Sequence, residues 1–137
     1  MNASANAPRR ILIADDNHAN RELLRSMLQR FTETELHVAN DGAAAAEAYR
    51  ELKPQITLLD INMPGMDGFA VLEEIRTVEP DAFVVMVSAH SGVETVQKAL
   101  KHGVGGYIVK PYSAQRVLDV LTRYVAKSGD AAVLRRR

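Results

Sequence analysis

The sequence contains no cysteine among its 137 residues. This absence excludes disulfides, thiolate metal sites and a thiol nucleophile, and it is compatible with a reducing compartment. An excess of one charge is also missing, because 17 Lys and Arg balance 17 Asp and Glu. The overall charge therefore gives no indication of a nucleic-acid backbone or an acidic membrane as the main partner.

Long hydrophobic runs are absent as well. The first residues, MNASANAP, lack the apolar segment of a signal peptide. No later run approaches the roughly 20 apolar residues that a membrane span requires. A chain of 137 residues with ordinary composition fits one compact domain. We therefore expect a cytoplasmic protein without a membrane partner.

The chain does have an alternation of short apolar runs with longer stretches of helical period, which is typical of a parallel sheet with helices on both faces. The predicted strands are Ile11 to Ala14, Leu36 to Ala39, Ile56 to Leu59, Phe83 to Val87 and Tyr107 to Val109. The first, third and fourth runs are the most continuously hydrophobic, so they should be central in the sheet. The predicted helices are Asn17 to Arg30, Ala43 to Leu52, Phe69 to Arg76, Val93 to His102 and Val117 to Val125.

Polar side chains that could bind a ligand or take part in a reaction follow the predicted strands. Asp15 and Asp16 come after the first strand, Asp60 ends the third, Ser88 follows the fourth and Lys110 follows the fifth. In an open sheet of this kind, ligands bind outside the carboxyl ends of the strands, where the strand order reverses. These five residues are therefore expected to meet in one crevice.

The chemistry of this set is coherent. Three carboxylates supply the hard oxygen ligands that suit Mg²⁺. With the metal offsetting negative charge, a carboxylate can attack a phosphoryl group, and Asp60 is the better nucleophile candidate. Lys110 offers an ammonium to the phosphoryl oxygens, and Ser88 offers a hydroxyl donor. The pair at 15 and 16 suits indirect and direct metal contact, respectively.

Each residue also has a purely structural interpretation. Asp15 and Asp16 could cap a helix, which is the better interpretation of that pair taken alone. Asp60 could form a buried ion pair with Lys110, since a carboxylate closing an apolar run carries a desolvation cost. Ser88 alone would be a strand-end hydrogen-bonding residue. The joint placement of the residues at strand ends favours a functional site.

Four short motifs in this order resemble the receiver domain of two-component response regulators. They are Asp15-Asp16, Asp60 within LLDINMPGMDG, Ser88-Ala89 and Lys110-Pro111. The resemblance covers roughly residues 9 to 126. It implies a doubly wound α/β fold, the (βα)5 flavodoxin-like or CheY-like fold, with a five-stranded parallel sheet of order 2-1-3-4-5.

The resemblance also implies roles for the site residues. Asp60 would be the phosphoacceptor, Asp16 and Asp60 would ligate Mg²⁺ or Mn²⁺, and Asp15 would act mainly through a water. The backbone carbonyl of Asn62 would complete the protein ligands. The family holds the Lys110-Pro111 peptide bond cis, which would direct the ammonium into the crevice.

The same resemblance implies which residues change conformation on phosphorylation and which set the lifetime of the aspartyl-phosphate. Ser88 would move toward the phosphoryl group, and Tyr107 on the fifth strand would turn from an exposed to a buried rotamer. Asn62 and His90 occupy the positions that set how fast water hydrolyses the aspartyl-phosphate. The readout would be the face made by the fourth helix, fifth strand and fifth helix, with exposed residues Lys98, Lys101, His102, Tyr107, Tyr112 and Arg116. An ordinary solvated helix face is the alternative interpretation of these charges.

A receiver in a phosphorelay would accept its phosphoryl group from a phosphohistidine on a sensor histidine kinase or a histidine phosphotransfer protein. It would then contact a downstream protein, with no direct nucleic-acid contact, and autodephosphorylate. Such a protein is a signalling switch rather than an enzyme. The resemblance leaves open a phosphorylation-dependent homodimer.

The sequence predicts three segments. Residues 1–8 would be a disordered extension, 9–126 the receiver domain, and 127–137 a flexible basic tail too short for an output domain. Either the chain is a stand-alone receiver, or it belongs to a longer protein.

Two other functions share parts of this pattern. A phosphohydrolase of the haloacid-dehalogenase type needs a second acid two residues after its nucleophile, where this chain has Asn62. A nucleotide- or flavin-binding module needs a glycine-rich phosphate loop, which the IADDN segment lacks. The four histidines have no metal-ligand spacing and are expected at the surface or in loops, at positions 18, 37, 90 and 102.

Overall fold

A computed structural model describes residues 8–135 as alternating strands and helices. The strands are β1 (Arg10–Ala14), β2 (Glu35–Ala39), β3 (Ile56–Asp60), β4 (Val84–Ser88) and β5 (Gly106–Val109). The helices are α1 (His18–Gln29), α2 (Gly42–Leu52), α3 (Gly68–Val78), α4 (Val93–Lys101) and α5 (Ala114–Ser128). Every predicted strand and helix is present, with ends that differ by a few residues.

The five strands form one parallel sheet of order β2-β1-β3-β4-β5. This order confirms the fold that the resemblance implied. The three most continuously hydrophobic runs, β1, β3 and β4, are central, because a central parallel strand is covered by helices on both faces. The sheet order reverses at β1, which has β2 on one side and β3 on the other.

Two hydrophobic layers hold the helices against the sheet. Leu12, Leu59 and Met86 face the layer that contains α2 and α3. Ile13 and Leu58, their neighbours along the strands, face the layer that contains α1 and α5. Successive strand side chains point to opposite faces, so each central strand contributes to both layers.

Helix ends follow local capping chemistry. The side chain of Asp41 accepts a hydrogen bond from the Ala44 amide at 2.7 Å, and Ser113 caps α5 through the Arg116 amide. Side-chain oxygens of this kind satisfy the free amides of a first turn. The cap explains why α5 begins three residues before the predicted start at Val117.

The end of the described chain contradicts the predicted tail. α5 continues to Ser128, and a short 3₁₀ turn follows at Ala131–Val133. Val133 is completely buried and packs in the layer of α1 and α5. The prediction of a flexible tail from residue 127 is therefore wrong for residues 127–135, because it considered polarity and not the apolar site available to Val133. Residues 1–7 and 136–137 lie outside the described residues, so the predicted N-terminal extension stays a prediction.

Polar contacts reinforce this C-terminal packing. The Arg9 Nε donates to both carboxylate oxygens of Asp130, at 2.9 and 2.8 Å, and thereby connects the start of β1 with the end of the chain. Arg135 donates its backbone amide to the carbonyl of Phe31 and its guanidinium to the carbonyl of Gln29. The segment after α5 thus contacts both α1 and the beginning of β1.

Substituting Val133→Ala tests this packing. Loss of two buried methyl groups should lower the free energy of unfolding by about 2 kcal/mol. Val93 is 70% exposed, so Val93→Ala removes the same atoms from the surface and should change stability by less than about 0.5 kcal/mol. Urea unfolding measures both values, and equal stability of the two variants would contradict the packed position of residues 129–135.

Candidate functional site

The predicted site residues meet at the carboxyl edge of the sheet. Asp15 follows β1 directly, Asp60 is the last residue of β3, Ser88 is the last of β4 and Lys110 follows β5. Parallel strands bring their carboxyl ends to the same edge, so their terminal side chains converge. The crevice lies beside β1, where the strand order reverses.

Three carboxylates form the acidic part of this site. One carboxylate oxygen from each of Asp15, Asp16 and Asp60 lies within 4.8 Å of the others. Asp15 and Asp60 are each only 4% exposed, whereas Asp16 is exposed. The arrangement leaves one side of the cluster open to solvent, which suits a cation that keeps part of its water shell.

Lys110 joins two of these carboxylates. Its Nζ lies 2.9 Å from Asp15 Oδ2 and 3.1 Å from Asp60 Oδ2. The ion pair considered as an alternative is therefore present, but it accounts for only part of the charge. One ammonium beside three carboxylates leaves a formal excess of about two negative charges, which a divalent cation would offset.

Burial and charge shift the pKa values of this group. Burial raises the pKa of Asp60 above its usual value, and the nearby Lys110 only partly opposes this effect. For Lys110, burial disfavours the ammonium, but its hydrogen bond to Asp15 and the charge of Asp60 outweigh this effect and raise the pKa. Lys110 is therefore stabilised as a cation. Ionising Asp60 in the folded protein costs free energy that its pairing with Lys110 does not fully offset.

Backbone amides fix the buried carboxylates. Asp15 Oδ1 accepts from the amide of Asn17 at 2.8 Å, and Asp60 Oδ1 accepts from the amide of Asn62 at 3.2 Å. Asn17 is the residue that caps α1. Neither Asp15 nor Asp16 is therefore the N-cap of α1, although Asp15 does accept a backbone amide just before the helix.

The loop after Asp60 turns sharply into α3. Gly65 has a φ of 76°, in the left-handed region that favours glycine. Gly68 begins α3 so close to β3 that a Cβ there would lie 2.4 Å from the Asp60 carbonyl oxygen. Both glycines allow the chain to reverse next to Asp60. The expected ligation of a metal by the Asn62 carbonyl stays a prediction.

Ser88 is connected to Tyr107 through the intervening loop. Ser88 is fully buried, and its Oγ accepts from the amide of His90 at 3.0 Å. The hydroxyl of Tyr107 donates to the carbonyl of His90 at 2.6 Å. His90, in the loop after β4, is thus held through its amide by the predicted phosphoryl-binding residue and through its carbonyl by the predicted switch residue.

The α4-β5-α5 face is less exposed than predicted from the sequence, and its Tyr107 is only partly exposed. Lys98, Lys101 and Arg116 are exposed, and His102 is partly buried against the ring of Phe69. Tyr112 is 8% exposed and cannot serve as a surface contact. Its ring packs in the layer of α1 and α5 because the chain turns inward after Pro111.

Two contributors to the site were missed by sequence reasoning. The Tyr112 hydroxyl donates to the carbonyl of Asn20 at 2.9 Å, and the guanidinium of Arg21 donates to the carbonyl of Asp15 at 2.8 Å. An aromatic residue directly after Lys110-Pro111 was the only local signal for the first contact. The peptide bond between Lys110 and Pro111 is cis, as the resemblance implied.

A separate apolar cavity lies away from the crevice. It has a volume of about 380 Å³ and lies at the amino ends of β3 and β4, with Tyr49, Phe83 and Tyr124 in its walls. Neither the three site carboxylates nor Lys110 lines it. This cavity and the acidic crevice are therefore at opposite edges of the sheet.

The sheet order and the position of the acidic crevice define a flavodoxin-like α/β protein of the CheY-like class. Residues 11–122 match the family model described as the response regulator receiver domain. The chain belongs to the response regulator receiver family. This membership does not support the phosphohydrolase and flavin-module alternatives.

Curated relatives share the full length of this domain. The chemotaxis protein CheY of Thermotoga maritima is 35% identical over 115 residues, which cover 84% of this chain and 96% of that protein. CheY of Bacillus subtilis is 36% identical over 114 residues, covering 83% and 95% of the two chains. The regulatory protein AtoC of Escherichia coli is 36% identical over 116 residues, 83% of this chain but only 24% of AtoC. The same domain thus occurs in short and long proteins.

Solved structures have the same architecture. The receiver domain of NtrX from Brucella abortus gives a TM-score of 0.79 at 34% identity, covering 86% of this chain and 99% of that one. The chemotaxis protein CheY4 of Vibrio cholerae gives 0.78 at 26% identity, with coverage of 86% and 99%. In residues 8–135, no helix has the length and apolar character that crossing a bilayer requires. The cytoplasmic location stays a prediction.

Neutralising Asp60 should stabilise the metal-free protein. Because the folded-state pKa of Asp60 is raised, its favourable contribution is complete below the unfolded pKa and is lost as pH rises through the folded pKa. At pH 7 in chelator, Asp60→Asn should therefore raise the free energy of unfolding. The difference should shrink as the pH falls through the folded pKa and should approach zero below about 4, where the wild-type carboxyl is protonated in both the folded and the unfolded state.

Urea unfolding across this pH range measures the effect. Asp81 is exposed, so Asp81→Asn is a control that should leave stability within about 0.5 kcal/mol at every pH. A lower stability of Asp60→Asn at pH 7 would show that the pairing with Lys110 outweighs the burial of the charge.

Proposed function

We propose that this chain is a phosphorylation-controlled switch of a two-component system, which takes a phosphoryl group from a phosphohistidine donor onto Asp60. The observation that carries the proposal is the position of Asp60. Its carboxylate is buried at the end of β3, beside Asp15 and Asp16, with Lys110 at 3.1 Å. Membership of the receiver family supports the same reaction.

The transfer exchanges one bond for another. An ionised oxygen of Asp60 attacks the phosphorus, the P–N bond to the donor imidazole breaks, and its electron pair remains on the imidazole nitrogen. The amide of Asn62 holds Asp60 Oδ1 at 3.2 Å, so the carboxylate is oriented before the donor arrives. Such orientation lowers the entropic part of the barrier.

The donor set of the crevice fits Mg²⁺ or Mn²⁺. Carboxylate oxygens of Asp15, Asp16 and Asp60, together with the carbonyl of Asn62, would hold the ion, with Asp15 acting mainly through a water. A bound divalent cation supplies charge neutralisation between the carboxylates and the incoming phosphoryl oxygens. Without such compensation, the excess negative charge of the three acids repels a phosphoryl group.

Lys110 and Ser88 would receive the transferred group. The ammonium of Lys110 already contacts Asp60 and can move to a phosphoryl oxygen when the carboxylate becomes a mixed anhydride. The hydroxyl of Ser88 can donate to a second oxygen. A phosphoryl group adds strong acceptors and about 1.5 to 2 negative charges, which favours both contacts.

Movement of Ser88 would change the partner-binding face. The Ser88 Oγ holds the amide of His90, and the carbonyl of His90 holds the hydroxyl of Tyr107. Recruiting Ser88 toward the phosphoryl group therefore disturbs a chain of contacts that ends on β5. Tyr107 would change rotamer, and the face made by α4, β5 and α5 would present a new surface to a downstream protein.

The switch would reset by hydrolysis rather than by turnover of a substrate. Asn62 and His90 are both exposed and each lies two residues beyond the end of a central strand, β3 and β4. From these positions, their side chains would influence the approach of water to the aspartyl-phosphate. We therefore regard the chain as a switch that assists its own phosphorylation and dephosphorylation, not as an enzyme.

The partners of such a switch are proteins. A sensor histidine kinase or histidine phosphotransfer protein would supply the phosphoryl group, and a downstream protein would bind the α4-β5-α5 face. We propose no direct contact with nucleic acid, and phosphorylation-dependent homodimerisation is one form that the output could take.

Incubation with a small phosphodonor tests the central step. Wild type should gain one phosphoryl group in Mg²⁺ and none in chelator, because the acids repel the donor without the cation. Asp60→Asn should gain none, whereas the surface control Asp81→Asn should behave as wild type. Intact mass spectrometry measures the gain.

Equal labelling of Asp60→Asn and wild type would refute Asp60 as the phosphoacceptor. Labelling that is independent of metal would refute the roles given to Asp15 and Asp16. The decay of the label also tests lifetime tuning, since substitution of Asn62 or His90 should change its rate.

Amide chemical shifts test the switch. Phosphorylation of wild type should shift signals across residues 88–116, because Ser88, His90 and Tyr107 form one connected set. In Ser88→Ala, phosphorylation should still occur, but the shifts on β5 should be smaller since the recruiting hydroxyl is missing. Unchanged signals over residues 88–116 in phosphorylated wild type would rule out this readout surface.

A further inference from the structure

Tyr112 connects two loops that lie far apart in sequence. It follows Lys110 by two positions, and its hydroxyl donates a 2.9 Å hydrogen bond to the carbonyl of Asn20 in the first turn of α1. The residue is only 8% exposed. The loop that carries Lys110 is thus attached directly to the helix that follows the acidic loop.

The first turn of α1 is in turn attached to the acidic residues. The side chain of Asn17 accepts from the Asn20 amide at 2.9 Å, and the amide of Asn17 donates to Asp15 Oδ1 at 2.8 Å. Arg21 donates to the backbone carbonyl of Asp15 at 2.8 Å. Any displacement of Asn20 is therefore transmitted to Asp15 through short hydrogen bonds.

We propose that Tyr112 is a positioning residue for the metal site: its hydroxyl fixes the loop of Asp15 and Asp16 relative to Lys110. Asp16 is exposed, so its place depends on the backbone of that loop rather than on surrounding side chains. Asp15 and Lys110 are separated by 2.9 Å, and this contact needs both loops in register. The inference rests on the proposed function only in requiring that the three carboxylates bind a divalent cation.

The hydroxyl, rather than the ring, carries this role. A phenylalanine would fill nearly the same volume in the layer of α1 and α5, but it could not donate to Asn20. The Asn20 carbonyl has two lone pairs, so it can accept from Tyr112 in addition to its helical partner. A buried hydroxyl needs its hydrogen bond, because leaving it unpaired forfeits the hydrogen bonds with water that it loses on burial. The contact therefore restrains both loops.

The test compares two buried tyrosines whose hydroxyls each donate one hydrogen bond, one beside the acidic crevice and one at the opposite edge of the sheet. Tyr124 is also 8% exposed, and its hydroxyl donates to Asp130 at 3.3 Å, near the amino end of β1 where Arg9 binds the same carboxylate. Tyr112→Phe and Tyr124→Phe each remove one buried hydroxyl. Urea unfolding is expected to give both variants a similar small loss of stability.

Magnesium titration of the metal-free full chain, followed by amide chemical shifts, separates positioning from stability. Tyr112→Phe should raise the Mg²⁺ dissociation constant by about threefold to tenfold, and should shift the amides of residues 15–17 before any metal is added. Tyr124→Phe should keep the wild-type dissociation constant. The same constant in all three proteins, or an equal rise in both variants, would overturn the proposal.

The outcomes for the two proposals remain distinct. Wild type that binds Mg²⁺ but takes no phosphoryl group would refute the proposed function and leave the role of Tyr112 standing. Normal phosphorylation of wild type with unchanged Mg²⁺ affinity in Tyr112→Phe would refute the role of Tyr112 alone. Wild type that binds no Mg²⁺ would refute both.

Discussion

The pairing of one ammonium with two of three clustered carboxylates is the interaction on which the site depends. Lys110 bridges Asp15 and Asp60 but cannot neutralise the cluster, so the crevice keeps an excess of negative charge in a buried setting. A divalent cation would remove the excess, and a phosphoryl group is then attracted rather than repelled. Burial, with a smaller contribution from the charge of Asp15, raises the pKa of Asp60 and makes the metal-free site a source of instability. Proteins commonly lose stability at sites arranged for function.

The sheet makes this arrangement tolerable. Asp15 and Asp60 follow β1 and β3, neighbouring central strands whose side chains are packed on both faces. Backbone amides of Asn17 and Asn62 hold one oxygen of each carboxylate. The rigid strands bring the charges together, and the loops compensate part of the desolvation with hydrogen bonds. A buried carboxylate cluster on mobile elements would separate instead.

Two sets of hydrogen bonds lead away from the crevice. Ser88, His90 and Tyr107 connect it with β5, where the proposed readout begins. Tyr112 connects the loop of Lys110 with Asn20 and hence with the acidic loop. The first set includes a loop that can rearrange when Ser88 changes partner, whereas the second joins a buried ring to a helix. We therefore expect the first to move and the second to hold the geometry.

The strands, the helices and the set of acids could be predicted from the sequence, because each depends on local properties. Continuous apolar runs predict central strands such as Ile56 to Leu59, and an acid at the end of such a run is costly enough to indicate a function. The sheet order and the cis bond before Pro111 came from the family resemblance, not from periodicity. Asn17 at the cap of α1 was missed because two preceding acids are equally good caps.

The burial of Tyr112 and of Val133 depends on the tertiary structure. Tyr112 was predicted at the surface and is buried against α1, and Val133 was predicted in a flexible tail and is completely buried. Each position is determined by residues about 90 to 100 places away in the chain, such as Asn20 and Phe31. The composition of the local sequence does not predict contacts with such distant residues. An apolar or aromatic side chain in a polar segment is buried only if folding places a matching site beside it.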